Sequence, residues 1–282
     1  MSHPSFTTLI VTYNSVNEIL NLLDDLHVYM PGHRIIVIDN ASRDETVKVV
    51  QEHFSQVQIV QNSTNVGYAR AVNQGFELSH TEHVLLLNPD IRIHLPQLYT
   101  EMEKCLQHSR QIAAVAPLQF KNDDEKQYLN FTWSYSTLDA FKMYLSFLLQ
   151  RKQVFTEPIQ TTFLNAGCLL IRRSAFEQVG RLNEKYFLYG EEPDLFLKFR
   201  RYGFECFLLP NVAVTHYRER SLMTKPAVKR LQIRFLAARN VTDALLNGWA
   251  NILLDQLVVK RSPFVNRKRQ TAYKKRTFSN LS

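Results

Sequence analysis

The feature that most constrains this 282-residue chain is a run of four short apolar segments with helical spacing between them. Thr7–Tyr13 (TTLIVTY), Arg34–Asp39 (RIIVID), Val57–Gln61 and His83–Leu87 (HVLLL) are rich in β-branched residues and leucine. Between them, Val16–Met30 sets Ile19, Leu22, Leu23 and Leu26 at helical intervals, and Asp44–Phe54 and Tyr68–Leu78 repeat the pattern, with Ser42 the expected N-cap of Asp44–Phe54. Strands that are apolar throughout are covered on both faces, and helices between them imply a parallel sheet. Ligands of such sheets bind outside the carboxyl ends of the strands.

Those ends are strongly polar. Tyr13 and Asn14 follow the first strand, and Asp39, Asn40, Ser42 and Asp44 the second. Asn62 and Asn65 follow the third, and Asn88, Pro89 and Asp90 the fourth. One such end is ordinary turn chemistry. Four on one sheet edge point to a site. Neither GxGxxG nor GxxxxGK[ST] follows any strand, which argues against a dinucleotide oxidoreductase and a P-loop enzyme. No GxSxG nucleophile motif is present.

TLIVTYN, IIVIDNASRDET, NVGYARAVNQG and LLLNPDI, in this order and spacing, resemble the nucleotide-sugar half of inverting glycosyltransferases of family 2. FLNAGCLLIRRSAFEQVGRLNEKYFLYGEEPDLFLKFRRYG resembles the acceptor half of the branch that includes bacterial rhamnosyltransferases. The likeness covers about residues 6–220. It implies an α/β fold of the GT-A nucleotide-diphospho-sugar transferase type, with a mainly parallel central sheet. Residues 1–224 would form the transferase domain, with 1–120 the nucleotide-sugar half and 121–224 the acceptor half. Residues 225–282 would be a helical, basic extension.

Carried onto this sequence, the resemblance assigns roles by residue. Tyr13, Asn14 and Asp39 would line the base and ribose pocket, and Gly67, Tyr68, Arg70 and Asn73 would lie along the nucleotide-sugar. The family's DxD metal motif stands here as Asn88-Pro89-Asp90, leaving Asp90 as the metal ligand. His216 matches a late histidine that contacts metal or diphosphate, and Gly167, in the turn Asn165-Ala166-Gly167, would approach donor sugar and acceptor. Hard oxygen ligands imply Mg2+ or Mn2+, brought in mainly with the nucleotide. The family's Glu-Asp-x-Asp motif reads Glu191-Glu192-Pro193-Asp194. The second acid would be the base that deprotonates the acceptor hydroxyl, so Glu192 is expected in that role, with Glu191 the alternative. Pro193 is expected to open a helix ending near Tyr202.

The implied donor is dTDP-L-rhamnose, with UDP-hexoses and UDP-N-acetylhexosamines as alternatives. The implied acceptor is a glycan or lipid-linked saccharide of a surface polysaccharide. The shortened metal motif and the Glu-Glu pair leave a second class open, a non-catalytic nucleotide- or glycan-binding relative.

Charge divides the chain. Residues 225–282 carry 13 basic and 2 acidic residues, whereas the whole chain is only +8. Lys260–Arg276 has no acid, and the preceding Val241–Val259 carries Leu245, Leu246, Trp249, Ile252, Leu253 and Leu257 at helical spacing. That pair of features reads as an anchor on an anionic membrane surface, or as a helix packed on the core with a solvated tail. Arg218, Arg220 and Lys225 could bind phosphate, and Arg239-Asn240 matches a late pair in the family. With only Phe264 and Tyr273 as tail aromatics, a nucleic-acid platform is not expected. Met1–Thr8 shows no secretory pattern, so the expected location is cytoplasmic, peripheral on the inner face of the membrane. Lys121–Glu157 reads as an acceptor lid, a contact for a lipid-linked acceptor or an ordinary subdomain. Cys105, Cys168 and Cys206 are scattered and odd in number, and are expected to be reduced core thiols.

Overall fold

The computed structural model describes residues 6–120 and 157–217. In chain order the elements are β1 (Phe6–Thr12), α1 (Val16–Tyr29), β2 (Arg34–Asp39), α2 (Thr46–His53), β3 (Gln58–Gln61), α3 (Tyr68–Leu78), β4 (His83–Leu87) and β5 (Ile91–Arg92). There follow α4 (Leu98–Gln107), β6 (Ile112–Phe120), β7 (Ile159–Thr161), β8 (Cys168–Arg172), α5 (Arg173–Gln178), α6 (Glu191–Arg201) and β9 (Glu205–His216).

All the described strands join one sheet in the order β3-β2-β1-β4-β8-β6-β9-β5, with β7 added on β9. β3, β2, β1 and β4 run parallel, as the apolar runs require. β8 enters antiparallel to β4 with Cys168 opposite Leu87, and β6 and β9 run parallel to each other. The carboxyl ends of β1–β4, β6 and β9 and the amino end of β8 therefore share one edge of the sheet.

Alternate residues of each strand feed two cores. Ile10, Val37, Leu85 and Leu87 pack with Ile19, Leu22, Leu23 and Leu26 of α1, Val50 of α2 and Leu98, Met102 and Leu106 of α4. Leu9, Ile36, Ile38, Val84 and Leu86 pack with Ala71, Val72 and Phe76 of α3, Phe176 of α5 and Leu195, Phe196 and Phe199 of α6. Helices thus cover both faces of the sheet, in three layers. The fit is closest where α3 crosses β1: a Cβ on Gly75 would stand 2.1 Å from Leu9 Cδ1. The Phe76 and Phe176 rings stack at 3.9 Å and tie α3 to α5.

Two local expectations are corrected. Ser42 does not cap α2: the helix starts at Thr46, whose N–H and hydroxyl are both held by Asp44 Oδ1, and Ser42 serves the turn after β2 instead. The helix at the acidic motif starts at Glu191, not Pro193, because Gly190 (φ 100°) turns the chain into it from the left-handed region. Pro193 falls within the first turn, where no intrahelical N–H bond is required.

The three cysteines are buried and unpaired, and burial alone pushes the Cys105 thiol up to about 12. Among the described residues no helix is long and apolar enough to cross a membrane. Lys121–Thr156, Arg218, Arg220, Lys225, Arg239-Asn240, Val241–Val259 and Lys260–Arg276 lie outside the described residues, as does the boundary expected after residue 224.

Candidate active site

The site is built from loops at the shared edge. After β1, Asn14 takes φ 53°; its N–H donates to Ser42 Oγ (2.8 Å), and its Oδ1 accepts from Arg43 N–H (2.8 Å). Asp39 closes β2 and is wholly buried. Its carboxylate accepts from Ser42 N–H (3.0 Å) and Ser42 Oγ–H (2.5 Å). Asp39 therefore holds the turn that follows β2. Tyr13 stands exposed at the rim.

Asn40 organises the next loop. Its Nδ2 donates to Gly67 O (3.2 Å), and its Oδ1 accepts from Val66 N–H and Asn62 Nδ2 (both 3.2 Å). Asn62 and Gln74 then exchange amide bonds of 3.0 and 3.1 Å. Gly67 enters α3 at φ 88°, and a Cβ there would meet Phe187 O at 2.7 Å. That carbonyl accepts from Tyr68 N–H (2.9 Å), so glycine is required twice over, by its φ and by the approach of the Phe187 loop.

Arg70 and Asn73, in the first and second turns of α3, do not join the cluster at the sheet edge. Asn73 is buried and clasps the loop before α6: it donates to Leu182 O (3.0 Å) and Glu184 Oε1 (3.0 Å) and accepts from Leu182 N–H (3.2 Å). Arg70 pairs with Glu184 at 3.1 Å. Both side chains serve to position the acid-bearing segment in this arrangement.

The remaining residues converge. Tyr68 Oη donates to Asn88 Oδ1 (3.3 Å), and Asn88 N–H donates to Gly167 O (2.9 Å). Asp90 Oδ1 lies 3.2 Å from His216 Nε2, and Asp90 O accepts from Tyr217 N–H (3.1 Å). His216 is buried on Gly167, where a Cβ would stand 2.5 Å from its Nδ1. Burial, followed by the charges of Glu192, Glu191 and Asp90, holds the Tyr68 phenol well above its usual range. Tyr68 thus bonds Asn88, two residues before Asp90, and lines one pocket with Glu192.

The two glutamates differ in surroundings. Glu191 is 3% exposed, and its Oε2 has no hydrogen-bond partner among the described residues. Burial, with the neighbouring Glu192 charge, pushes its carboxyl up to about 8 against the pull of its own backbone N–H. It is mainly neutral at pH 7. Glu192 is half-buried and is the one carboxylate lining a small pocket shared with Tyr68, Leu86, Ala166, Leu195 and Phe196. Asp194 is paired with Lys198 at 2.8 Å. Among the described residues no three His, Cys, Asp or Glu side chains form a metal cage.

Sequence reasoning missed Gln119, Glu184 and Phe187. Gln119 bonds His216 across 97 positions, a separation at which no short motif can signal the pair.

Residues 7–180 match the sequence model of glycosyl transferase family 2. The chain belongs to this family. The transferase is 26% identical over 214 residues, 68% of its own length and 69% of the other's, to the N-acetylglucosaminyl-diphospho-decaprenol L-rhamnosyltransferase of Mycobacterium tuberculosis. It is 22% identical over 249 residues, 83% of its length and 93% of the other's, to the rhamnosyltransferase WbbL of Escherichia coli K12. Among solved structures, GalNAc-T7 with UDP, GalNAc and Mn2+ superposes with a TM-score of 0.61 over 76% of the transferase and 44% of that chain, at 17% identity. The mannosyltransferase PcManGT of Pyrobaculum calidifontis, with GDP-Man and Mn2+, gives 0.57 over 93% and 82%, at 15% identity. The fold is GT-A and the chain is a glycosyltransferase of a rhamnosyltransferase-like type.

Proposed function

We propose that the transferase moves L-rhamnose from dTDP-L-rhamnose, with inversion, to a hydroxyl of a glycan or lipid-linked saccharide in surface polysaccharide assembly. The observation that carries the reading is that Tyr68 bonds Asn88, two residues before the Asp90–His216 pair, and lines one pocket with Glu192. The rhamnosyltransferase relatives support the choice of sugar.

Glu192 would take the proton of the acceptor hydroxyl as that oxygen bonds the anomeric carbon. The bond from the anomeric carbon to the diphosphate breaks on the opposite face, and its electron pair leaves with the nucleoside diphosphate. Glu191, the more deeply buried of the two, is the alternative base. Tyr68 and Asn88 would orient the sugar between the two groups.

Asp90 and His216 fit a divalent ion. Their facing atoms are 3.2 Å apart, near the roughly 3.0 Å between adjacent ligands of an ion with bonds of about 2.1 Å. Two protein ligands leave positions for diphosphate oxygens, which is the expected arrangement for Mg2+ or Mn2+ arriving with its nucleotide. Once bound, such an ion supplies positive charge to the leaving diphosphate.

Thermal shifts with dTDP, UDP, GDP and CDP, each with and without Mn2+, test the reading. A nucleotide at about 100 times its Kd stabilises by about 2.7 kcal/mol. A metal-dependent shift with dTDP supports rhamnose, a preference for UDP reassigns the donor, and no shift with any nucleotide overturns the reading. The run Lys260–Arg276 would hold the enzyme on an anionic membrane, each basic residue contributing about 1 kcal/mol at most. Equal co-sedimentation with anionic vesicles before and after truncation at Val259 would refute that contact.

A further inference from the structure

Gln119 is the penultimate residue of β6, wholly buried, opposite Val214 on β9. Its Nε2 donates to Asn165 O at 2.9 Å and reaches Cys168 O at 3.5 Å. Two carbonyls on one side fix which end of the amide is which, because only the NH2 group can face them. The amide oxygen therefore points the other way, onto His216 Nδ1 at 3.0 Å. An oxygen with no hydrogen can only accept, so Nδ1 carries the proton of the ring.

Nε2 is then bare unless the ring takes up a second proton. A neutral ring with its proton on Nδ1 presents a lone pair at Nε2, and this lone pair faces Asp90 Oδ1. A lone pair against a carboxylate needs positive charge on or between the two atoms. The ring is buried and lies against Gly167, where no Cβ could fit. The other neutral tautomer would set an Nε2 proton toward Asp90 and two acceptors, Nδ1 and Gln119 Oε1, against each other.

The geometry points to Gln119 as the positioning residue of the candidate ion site: it holds His216 as the Nδ1–H tautomer, so that Nε2 and Asp90 together face a divalent cation. This rests on the donor-and-metal reading above. Gln119 touches neither nucleotide nor ion in this scheme. It acts through His216 and joins the ring to the Asn165–Gly167 turn, which in turn holds Asn88. Partners of this kind that orient a metal-binding histidine typically contribute about 10- to 100-fold in metal affinity.

The test uses the full chain and Gln119→Met, which keeps the length of the side chain and removes both ends of the amide. Isotope-labelled histidine, observed by NMR at a pH where the ring is neutral, reports the tautomer without any metal. His216 is expected as Nδ1–H in the wild type and as a mixture of tautomers in Gln119→Met. Calorimetry with dTDP or UDP is then run with and without Mn2+. Gln119→Met should lower the Mn2+-dependent gain in affinity about 10- to 100-fold and leave metal-free binding unchanged. In a His216→Ala background the same substitution should change little, less than about twofold, because its route through the ring is gone.

A wild-type His216 protonated on Nε2 overturns the proposal. So does an unaltered tautomer in Gln119→Met, or an equal loss without His216, which would mark a general packing defect. A wild-type chain whose nucleotide binding ignores Mn2+ refutes the metal reading itself, and the tautomer measurement still decides whether Gln119 sets the ring.

Discussion

Glu191→Gln is the substitution whose effect can be worked furthest from the structure. The Glu191 carboxyl is pushed from its ordinary 4.5 to about 8, first by burial and then by Glu192. In the unfolded chain it ionises near 4.5. Between these two values the folded state binds one proton more than the unfolded state, so stability falls as pH rises through the window. Below the window both states are protonated and the group contributes nothing. Above it the full cost is present, on the order of 5 kcal/mol. Glutamine copies the shape of the neutral acid and cannot ionise. Urea denaturation of both proteins at several pH values checks the idea. Their stabilities should coincide near pH 4.5 and diverge toward pH 8, with the variant the more stable by about 1.4 kcal/mol per pH unit. A difference that does not change with pH would refute the argument, and it would mean that Glu191 is ionised in the folded protein.

Three further outcomes are expected. Glu192→Gln should lower kcat about 100-fold or more with nucleotide affinity kept; in a transfer assay, the same loss from Glu191→Gln with none from Glu192→Gln would move the base. Asp90→Ala should abolish transfer while urea midpoints stay put, and an active variant would sink the ion site. Gly67→Ala should cost about 1–3 kcal/mol by denaturation, since it combines φ 88° with a contact of 2.7 Å to Phe187 O; unchanged stability would show that the Phe187 loop yields freely.

β1, β2 and β4 were legible because each is buried on both faces and so is a nearly unbroken apolar run, whereas β3, a half-buried edge strand, was legible from Val57, Ile59 and Val60. Their helices were legible by spacing, to within a residue or two at most ends. α4 carried the same signal in Leu98, Met102, Cys105 and Leu106 and could have been read with it. β5 and β7 have two and three residues, too few for any periodicity. In β9 only Val212–Val214 stood out, because Pro210 and Asn211 break the run at the irregularity opposite Pro117 and Leu118.

At the site, Asp90, Gly167, Glu191, Glu192 and His216 were chosen by resemblance, and the structure brings them to one edge. Arg70 and Asn73 were chosen in the same way, but hold the Leu182–Glu184 loop. A local motif records which residues occur together, and not which neighbour each one serves. Glu191 and Glu192 differ in burial, which adjacent identical letters do not encode.

The order of strands bears on how this enzyme can be recombined with its relatives. β6 belongs by sequence to the first 120 residues, yet both of its sheet neighbours, β8 and β9, come from the part after residue 157. β4 likewise takes β8 as its outer neighbour. A cut at residue 120 that looks natural along the chain runs through four strand-to-strand seams, β4–β8, β5–β9, β6–β8 and β6–β9. A chimera made there would pair strands that had never been selected to fit one another. An exchange confined to residues 121–156 would leave every described seam intact.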